Sequence, residues 1–341
     1  DSGGVRLGYI DSGVPAGASS RAPTYPTIFV VHGGLFTSTT FLRLADSCYE
    51  RNIRLVALNR RSYPSSTPLA PPSFPSLTSA AKRAWLAARG VELLQFIDAF
   101  IERERLPPIS RGGEAGGVAL VGVGIGAAYT CAAVASMGIV AGGEGGRVGG
   151  YLRAHILQEP PPSALGLPTP AEIYTPLNDT ALPSHTRLGA HTLWVTSYFS
   201  HRDIDLSSHD RGALECVLPA LTRVPTAWRL DTDAGALDDA PYDALEAPLL
   251  AHCARELRAL CEEAMWGAEV SMWAPALRRA AVCGDMAPAE GVCGFWALRE
   301  EDRRRKGSTV WIDAMRFVVV PGGNHLMQWD EPEKTVDGYV E

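Results

Sequence analysis

Hydrophobic and polar positions along the chain alternate in blocks that predict strands and helices in turn. Short apolar runs, bounded by Gly, Pro, Asp or Asn, predict strands over residues 5–10, 27–31, 53–58, 117–121, 154–157, 279–283 and 317–320. Apolar residues at helical spacing predict helices over residues 79–101 and 127–137. Several strands are continuously apolar, which is typical of strands buried on both faces. This order predicts an α/β fold with a mostly parallel central sheet and helices on both of its faces.

The pattern changes between residues 163 and 267. This region has no series of strands but carries many prolines and several helix-like stretches, the clearest at 245–265. We therefore predict a mostly helical lid, 163–267, inserted into a core domain made of residues 1–162 and 268–341. A ligand chamber is expected between the sheet and the lid.

Composition excludes several classes of partner. The 341 residues are 46% hydrophobic and carry a net charge of −7, which indicates a globular protein with a large core. The acidic balance argues against nucleic acid and anionic membranes as partners. The basic run 303–306 follows three acidic residues and predicts a solvated, self-compensating surface loop. No apolar run reaches the roughly 18 residues that membrane insertion needs.

The seven cysteines are dispersed, without a CxxC pair or a Cys/His cluster. This distribution predicts reduced thiols and no metal site, and no other motif calls for a cofactor. The first residues show no signal-peptide pattern, so we expect a cytoplasmic protein. The chain begins at Asp1 and not at Met, which is what a trimmed N-terminus would leave.

A glycine-rich turn, GVGIG at 122–126, follows a predicted strand and opens a predicted helix. It fits two known devices. One is the dinucleotide fingerprint, satisfied by Gly122, Gly124 and Ala127, with Glu144 at the distance of the ribose-binding acid. The other is the nucleophile elbow GxSxG with Gly124 at the serine position. A fingerprint normally follows the first strand, whereas here at least three strands precede the turn, so position favours the elbow.

Two further motifs lie where an elbow would need them. His32, Gly33 and Gly34 follow the second predicted strand, where a hydrolase places an oxyanion-hole amide. Asn324 and His325 follow the last strand, where the catalytic base belongs. Three features in this order are more specific than any one of them alone.

With these motifs the chain resembles the α/β-hydrolase superfamily, and in particular fungal alpha/beta hydrolases. HGGLFTS at 32–38 resembles their oxyanion loop, and NRRSYPSSTP at 59–68 resembles the loop after the next strand. The segment 122–126 takes the place of the elbow, and 323–325 that of the G-x-H base motif. The resemblance covers nearly the whole chain outside 163–267.

The resemblance implies a base and two candidate acids. His325 would be the base. The orienting acid usually follows the strand at 279–283, where Asp285 is present but Ala287 stands at the usual position. A minority of the superfamily takes the acid from the end of the preceding strand, where this chain has Glu159. We favour Glu159 over Asp285.

The oxyanion hole would be built from the backbone amides of Ile125 and of Gly34 or Leu35. Six aromatic residues near the expected chamber are candidate ligand contacts and together suggest an apolar small molecule: Phe36, Trp194, Tyr198, Phe199, Trp228 and Trp266.

Gly124 keeps the turn but deletes the hydroxyl that would attack a carbonyl carbon. Three interpretations follow. The glycine is an engineered replacement, or it belongs to a protein that binds a ligand without turning it over, or it belongs to an enzyme in which His325 activates water or a substrate proton directly. The predicted function is hydrolysis of an ester, lactone or related carbonyl bond, abolished or slowed by the missing nucleophile. The alternatives are a non-catalytic binding protein and a lyase or isomerase.

Overall fold

The computed structural model describes residues 4–17, 24–140, 146–201, 211–220, 223–230, 235–238, 240–306 and 314–340. Within them, seven strands form one sheet in the order β1-β3-β2-β4-β5-β6-β7. The strands are β1 (Tyr9–Asp11), β2 (Thr27–Val31), β3 (Arg54–Leu58), β4 (Val118–Val123), β5 (Leu152–Gln158), β6 (Arg278–Gly284) and β7 (Arg316–Val320).

The pairing within this sheet confirms the predicted fold class. Only β1 pairs antiparallel, with β3, and every other neighbouring pair is parallel. All the predicted strands are present, with ends that differ by a few residues. The largest difference is at β1, which begins at Tyr9 and not at Val5. This strand lies at the edge of the sheet and is half-exposed. Residues 5–7 likewise lack the burial that stabilises the inner strands.

Twelve α-helices surround the sheet in the described residues. They are α1 (Leu42–Glu50), α2 (Ser79–Glu104), α3 (Gly126–Ala135), α4 (Met137–Val140), α5 (Gly146–Tyr151), α6 (Ser184–Val195), α7 (Ala247–His252), α8 (Ala254–Trp266), α9 (Ala268–Trp273), α10 (Ala289–Arg305), α11 (Met327–Asp330) and α12 (Pro332–Val340).

Strand side chains alternate between two cores, which explains why β2 and β4 are apolar throughout. Phe29 and Val31 of β2 join the core under α2, α3, α8 and α10, whereas Ile28 and Val30 join the core under α1 and α12. Helices therefore cover both faces of the sheet, as predicted.

The end of α10 corrects the interpretation of the basic run. Residues 303–305 are the last turn of this helix and not a loop. Arg304 and Arg305 both pair with Glu301 one turn earlier, at helical spacing. Cations at a helix C-terminus also suit the helix dipole. The charges compensate one another as expected, but they do so along a helix.

The region between β5 and β6 contains helices and no strand among its described residues. One of its helices, α8, packs against α3, and the α8 residues Leu257, Leu260 and Ala264 belong to the same core as α2 and α3. This helix therefore lies on the sheet as a crossover connection, as a parallel β5–β6 pair requires.

Helices α2 and α3 approach closely at Gly90. A Cβ added at Gly90 would lie 2.4 Å from the backbone carbonyl oxygen of Ala132, a distance that no pair of side-chain and backbone atoms tolerates. The glycine therefore serves helix packing, although it weakens the helix itself. Because α3 carries the glycine-rich turn at its N-terminus, this contact also bears on the position of that turn.

The Gly90→Ala substitution should destabilise the protein, by about 1–3 kcal/mol in the free energy of unfolding measured in urea, because the methyl group forces the two helices apart. Gly189→Ala is the matched control. Gly189 lies within α6, and a Cβ there meets nothing within 4 Å. That substitution should be neutral or stabilise by up to about 1 kcal/mol. Equal effects at the two positions would contradict the packing argument.

Candidate active site

The glycine-rich turn lies at the carboxyl end of β4, in the middle of the sheet. Gly124 has φ +53°, a left-handed conformation that L-residues adopt only at a cost. Its amide donates to the carbonyl of Gln158 at the end of β5, at 2.9 Å, which holds the turn against the neighbouring strand. The strand, sharp turn and helix in sequence are the geometry of a nucleophile elbow.

The three glycines of this turn differ in the space around them. A Cβ at Gly122 would lie 2.7 Å from the Ala127 backbone, and one at Gly126 would lie 2.4 Å from the carbonyl oxygen of Val31. At Gly124 the nearest atom would be Cε1 of His325, at 3.3 Å, followed by Nε2 at 3.5 Å. Only position 124 has room for a side chain, and that side chain would point at His325.

His325 is held by a buried carboxylate. Its Nδ1 lies 3.0 Å from Oε2 of Glu159, and Oε1 of Glu159 accepts a 2.9 Å hydrogen bond from the amide of Gly284. Burial raises the pKa of Glu159, while the His325 imidazole and the Gly284 amide act in the opposite direction. With Nδ1–H donated to Glu159, Nε2 of His325 is left as a proton acceptor on the side of Gly124.

The second acid candidate, Asp285, lies elsewhere. Its Oδ1 accepts a hydrogen bond of 2.6 Å from the amide of Gly322, in the turn that leads to His325. Asp285 therefore braces the loop, and the carboxylate in contact with the imidazole is that of Glu159. The fully buried Ala287 stands at the position where the superfamily usually has its acid.

Glu159 and Leu35 both adopt left-handed backbone conformations, with φ of +46° and +69°. Such angles cost a residue with a Cβ about 1–3 kcal/mol. They occur here on either side of Gly124, one in the loop after β5 and one in the loop after β2. Strain concentrated at one end of the sheet is typical of a functional site.

Three amides converge beside Gly124. Those of Gly34, Leu35 and Ile125 donate no hydrogen bond to any described residue. All three residues line the same cavity as His325. Amides without a protein acceptor beside a cavity are suited to bind an oxygen that carries negative charge.

A buried ion pair fixes the loop that carries two of these amides. Arg60, which follows β3, donates to the carbonyl of Gly33 at 2.9 Å and to Oε1 of Glu246 at 2.5 Å. The hydroxyl of Tyr63 donates to the same Glu246 oxygen at 2.7 Å. A Cβ on Gly34 would lie 2.9 Å from the other oxygen of Glu246. The ion pair therefore joins the loop after β2 to a π-helical turn, Tyr242–Glu246, on the opposite side of the cavity.

His32 shapes the same loop, as predicted from its place in the motif, and does not face Gly124. Its Nδ1 lies 2.7 Å from the carbonyl of Gly33, and its Nε2 accepts a 3.1 Å hydrogen bond from the amide of Arg60. Burial, together with the Arg60 charge, lowers the pKa of His32 well below its usual range. The imidazole is thus a neutral spacer within the loop.

A cavity of about 460 Å³ opens above Gly124, within the usual range for small-molecule sites. Leu35, Phe36 and Ile125 supply apolar surface on the side of the sheet, and Val195 and Leu250 supply it on the side of the helices. The cavity is also polar: it is lined by Thr175, Asn178, His191, Tyr242, Asp243 and Glu290 in addition to the dyad.

Of the six aromatic residues predicted as ligand contacts, only Phe36 lines this cavity. Trp194 and Phe199 pack edge to face in a small core that also contains Phe36, and the Tyr198 hydroxyl bonds to Asp330. Trp266 is buried beneath α10, and Trp228 is 68% exposed at the surface. Aromatic residues are common in every kind of buried surface. Their presence in the sequence therefore does not distinguish the cavity lining from the core.

None of the polar residues that line the cavity besides the dyad emerged from the sequence as a site residue. Tyr242 lies on the π-helical turn, and His191 lies on α6. Glu290 is the second residue of α10, directly after Pro288 and Ala289. A proline followed by an acid is a helix-start signal, so Glu290 could have been placed on a helix. No local pattern reveals that this helix begins at the cavity.

The sequence also predicted no metal site, no membrane insertion and no disulfides, and the structure bears on these for its described residues. Among these residues, no group of three or more His, Cys, Asp or Glu side chains is placed to hold a metal ion. Each helix in the same ranges is too short or too polar to span a bilayer. None of the seven cysteines, all of which lie in the described ranges, forms a disulfide. Glu144, the acid of the dinucleotide alternative, lies outside the described residues.

Glu246→Gln tests the buried ion pair. The substitution keeps the side-chain size but leaves the Arg60 charge buried without compensation, which should lower the free energy of unfolding by about 3–5 kcal/mol. Asp337→Asn is the matched control, because Asp337 pairs with Arg51 at the surface, where the two side chains are 59% and 31% exposed. Its effect in the same urea titration should be about 0–1 kcal/mol. A Glu246→Gln protein as stable as the control would show that the pair does not hold the loop.

The chain was compared with protein families, with curated proteins and with solved structures. No protein-family profile matches the chain, and none of the curated proteins matches it. The chain is similar to Est816, an N-acyl homoserine lactone degrading enzyme, with a TM-score of 0.51 and 11% identity, over 99% of this chain and 98% of that one. An esterase from Exiguobacterium antarcticum has a TM-score of 0.48 and 13% identity, over 98% and 94% of the two chains. A monoacylglycerol lipase from Paleococcus ferrophilus has a TM-score of 0.47 and 12% identity, over 98% of each chain. Sheet order, elbow geometry and the similarity to Est816 together show that the chain has the α/β-hydrolase fold.

Proposed function

We propose that this protein is a hydrolase-type enzyme for an ester, lactone or related carbonyl group of a small molecule. In this proposal Glu159 and His325 form its base dyad, and Gly124 stands where the nucleophile would be. The observation that carries the proposal is the contact between the Glu159 carboxylate and His325 Nδ1, which leaves Nε2 facing Gly124.

A simple binding pocket would not need this arrangement. Burying a carboxylate costs free energy unless its oxygens are hydrogen-bonded, and Glu159 also adopts a strained φ. The buried, strained Glu159 holds the His325 imidazole in one orientation and one tautomer. These costs favour a catalytic role for His325 over passive binding.

The unpaired amides supply the second requirement for carbonyl chemistry. A carbonyl oxygen bound to the amides of Ile125 and of Gly34 or Leu35 would bring its carbon next to the Gly124 Cα and His325 Nε2. These donors do not depend on a side chain at position 124. They would stabilise the negative charge that develops on that oxygen during attack.

Without a hydroxyl at position 124, we propose that water is the nucleophile. His325 Nε2 takes a proton from water, and the resulting hydroxide oxygen bonds to the carbonyl carbon while the carbonyl π electrons move to the oxygen held by the amides. The tetrahedral adduct then expels the alkoxide, which takes the proton from Nε2. Glu159 remains ionised and stabilises the imidazolium between the two steps.

The same geometry supports a second candidate. Because no side chain stands between His325 Nε2 and the cavity, the imidazole can also remove a proton from a substrate carbon next to the bound carbonyl. This would be lyase or isomerase chemistry with the same amides stabilising an enolate. It predicts turnover by the Gly124 protein of substrates that contain no hydrolysable bond.

Gly124→Ser tests the proposed function. The serine Cβ would lie 3.3 Å from Cε1 of His325, a tight but tolerable contact. Its Oγ, one bond further, would come within hydrogen-bond reach of Nε2. Hydrolysis of short-chain aryl esters should rise at least about 100-fold in kcat/KM over the Gly124 protein, because a triad replaces general-base attack by water. The Gly124 protein itself should show slow hydrolysis that depends on His325.

Gly124→Ala is the matched control, because alanine brings the same Cβ and the same backbone strain without the hydroxyl. It should remain at or below the activity of the Gly124 protein. Gly124→Ser combined with His325→Ala should lose the gain. A well-folded Gly124→Ser protein no more active than Gly124→Ala would contradict the proposed dyad and leave ligand binding as the function.

A further inference from the structure

The cavity carries an uncompensated negative charge. Three carboxyl residues line it, Glu159, Asp243 and Glu290, and the described lining contains no Lys or Arg. Glu159 is engaged by His325 and by the Gly284 amide. The remaining acids have no cation beside them within the cavity, which therefore disfavours an anionic ligand.

Of the two remaining acids, Glu290 is next in sequence to a residue that contacts the dyad. It is in the first turn of α10, and the following residue, Gly291, lies against the Glu159 side chain. Burial raises the pKa of Glu290; the nearby Glu159 adds to this, and His325 opposes it. The charge of Glu290 likewise contributes to raising the pKa of Tyr242, after burial. Glu290, both residues of the dyad and Tyr242 of the π-helical turn line the same cavity.

No hydrogen bond or ion pair joins the Glu290 carboxyl to any other described residue. Glu290 is half-buried in the cavity wall, so its carboxylate has lost part of its water without gaining a partner, and the positive end of the α10 dipole offsets only part of this cost. His191, the neutral imidazole across the cavity, adds no positive charge, because burial and the His325 charge lower its pKa to about 3. The Glu290 carboxyl is therefore free to accept hydrogen bonds from a group that enters the cavity.

We propose that Glu290 determines the specificity of the site by binding a hydrogen-bond-donating group of the substrate, a hydroxyl or a protonated amine, placed a few bonds from its carbonyl. This rests on the proposed function only in assigning the carbonyl to the amides beside Gly124. The aromatic residues of the sequence suggested an apolar ligand, whereas this proposal requires a ligand that also carries polar groups. It has an apolar body, a carbonyl and a donor, and it carries no carboxylate.

Four amides that the enzyme does not hydrolyse readily can test this by calorimetric titration of the Gly124 protein. They are N-benzylbutanamide, its 3-hydroxy and 3-amino derivatives, and N-benzylsuccinamic acid, which differ in one group and fit the cavity of about 460 Å³. At neutral pH at least one donor derivative should bind about tenfold more tightly than the parent amide, and the acid should bind more weakly than the parent. Preference for the amine would identify a cationic ligand, and equal affinity of the two donors a hydroxylated one.

Glu290→Gln should abolish the preference for the amine, or reduce that for the hydroxyl, and restore binding of the acid to the level of the parent amide. Glu333→Gln is the matched control. Glu333 is likewise an acid in the first turn of a helix, α12, but it is exposed. Its substitution should shift the melting temperature comparably through the helix dipole and leave all four affinities unchanged.

Two results would overturn the proposal. One is that the Gly124 protein binds neither donor ligand more tightly than the parent amide, or binds the donor ligands without saturation. The other is a preference for a donor ligand that is as large in the Glu290→Gln protein as in the Gly124 protein. Because the titration requires no turnover, a Glu290-dependent preference in a protein that hydrolyses nothing would uphold this inference and reject the proposed hydrolase function.

Discussion

The contact between Glu159 and His325 is the interaction on which the organisation of the site depends. The two residues are 166 positions apart, and they meet because β5 and β7 end at the same edge of a parallel sheet. Strand β6 lies between them and contributes the Gly284 amide, which holds the second oxygen of Glu159. A carboxylate after β5 can therefore reach an imidazole two strands away only while all three strands keep their register. The turn at Gly124, on the next strand, then faces an imidazole whose orientation is already determined.

A second buried polar contact fixes the opposite wall. Arg60 and Glu246 join the loop after β3 to the π-helical turn, and both also contact the loop that carries Gly34. Burying an ion pair seldom adds net stability, but it defines one arrangement, because each charge is costly without the other. The amides of Gly34 and Leu35 are thus positioned by the part of the chain that covers the cavity.

Much of the fold could be predicted from the sequence, because continuous apolar strands alternating with helices have few other solutions. The positions of Gly124 and His325 followed from motifs tied to strand ends, where a local pattern determines position. The helices α1, α6, α10 and α12 were not predicted. Helices α1 and α12 are only nine residues long, and α6 and α10 have weakly periodic sequences, so all four depend on packing for their stability. The cavity lining was the least predictable part. Glu290 and Tyr242 reach it from elements whose placement depends on long-range contacts, and five of the six aromatic candidates pack elsewhere.

The central claim is that position 124 faces a base that is already assembled. Labelling by an alkyl fluorophosphonate, followed by intact-protein mass spectrometry, tests this most directly, because phosphonylation requires an activated hydroxyl but no particular substrate. The account predicts a single adduct on the Gly124→Ser protein, none on the Gly124 protein, and loss of the adduct when Glu159→Ala or His325→Ala is added. A folded Gly124→Ser protein that remains unlabelled, or one whose labelling is indifferent to His325, would contradict it.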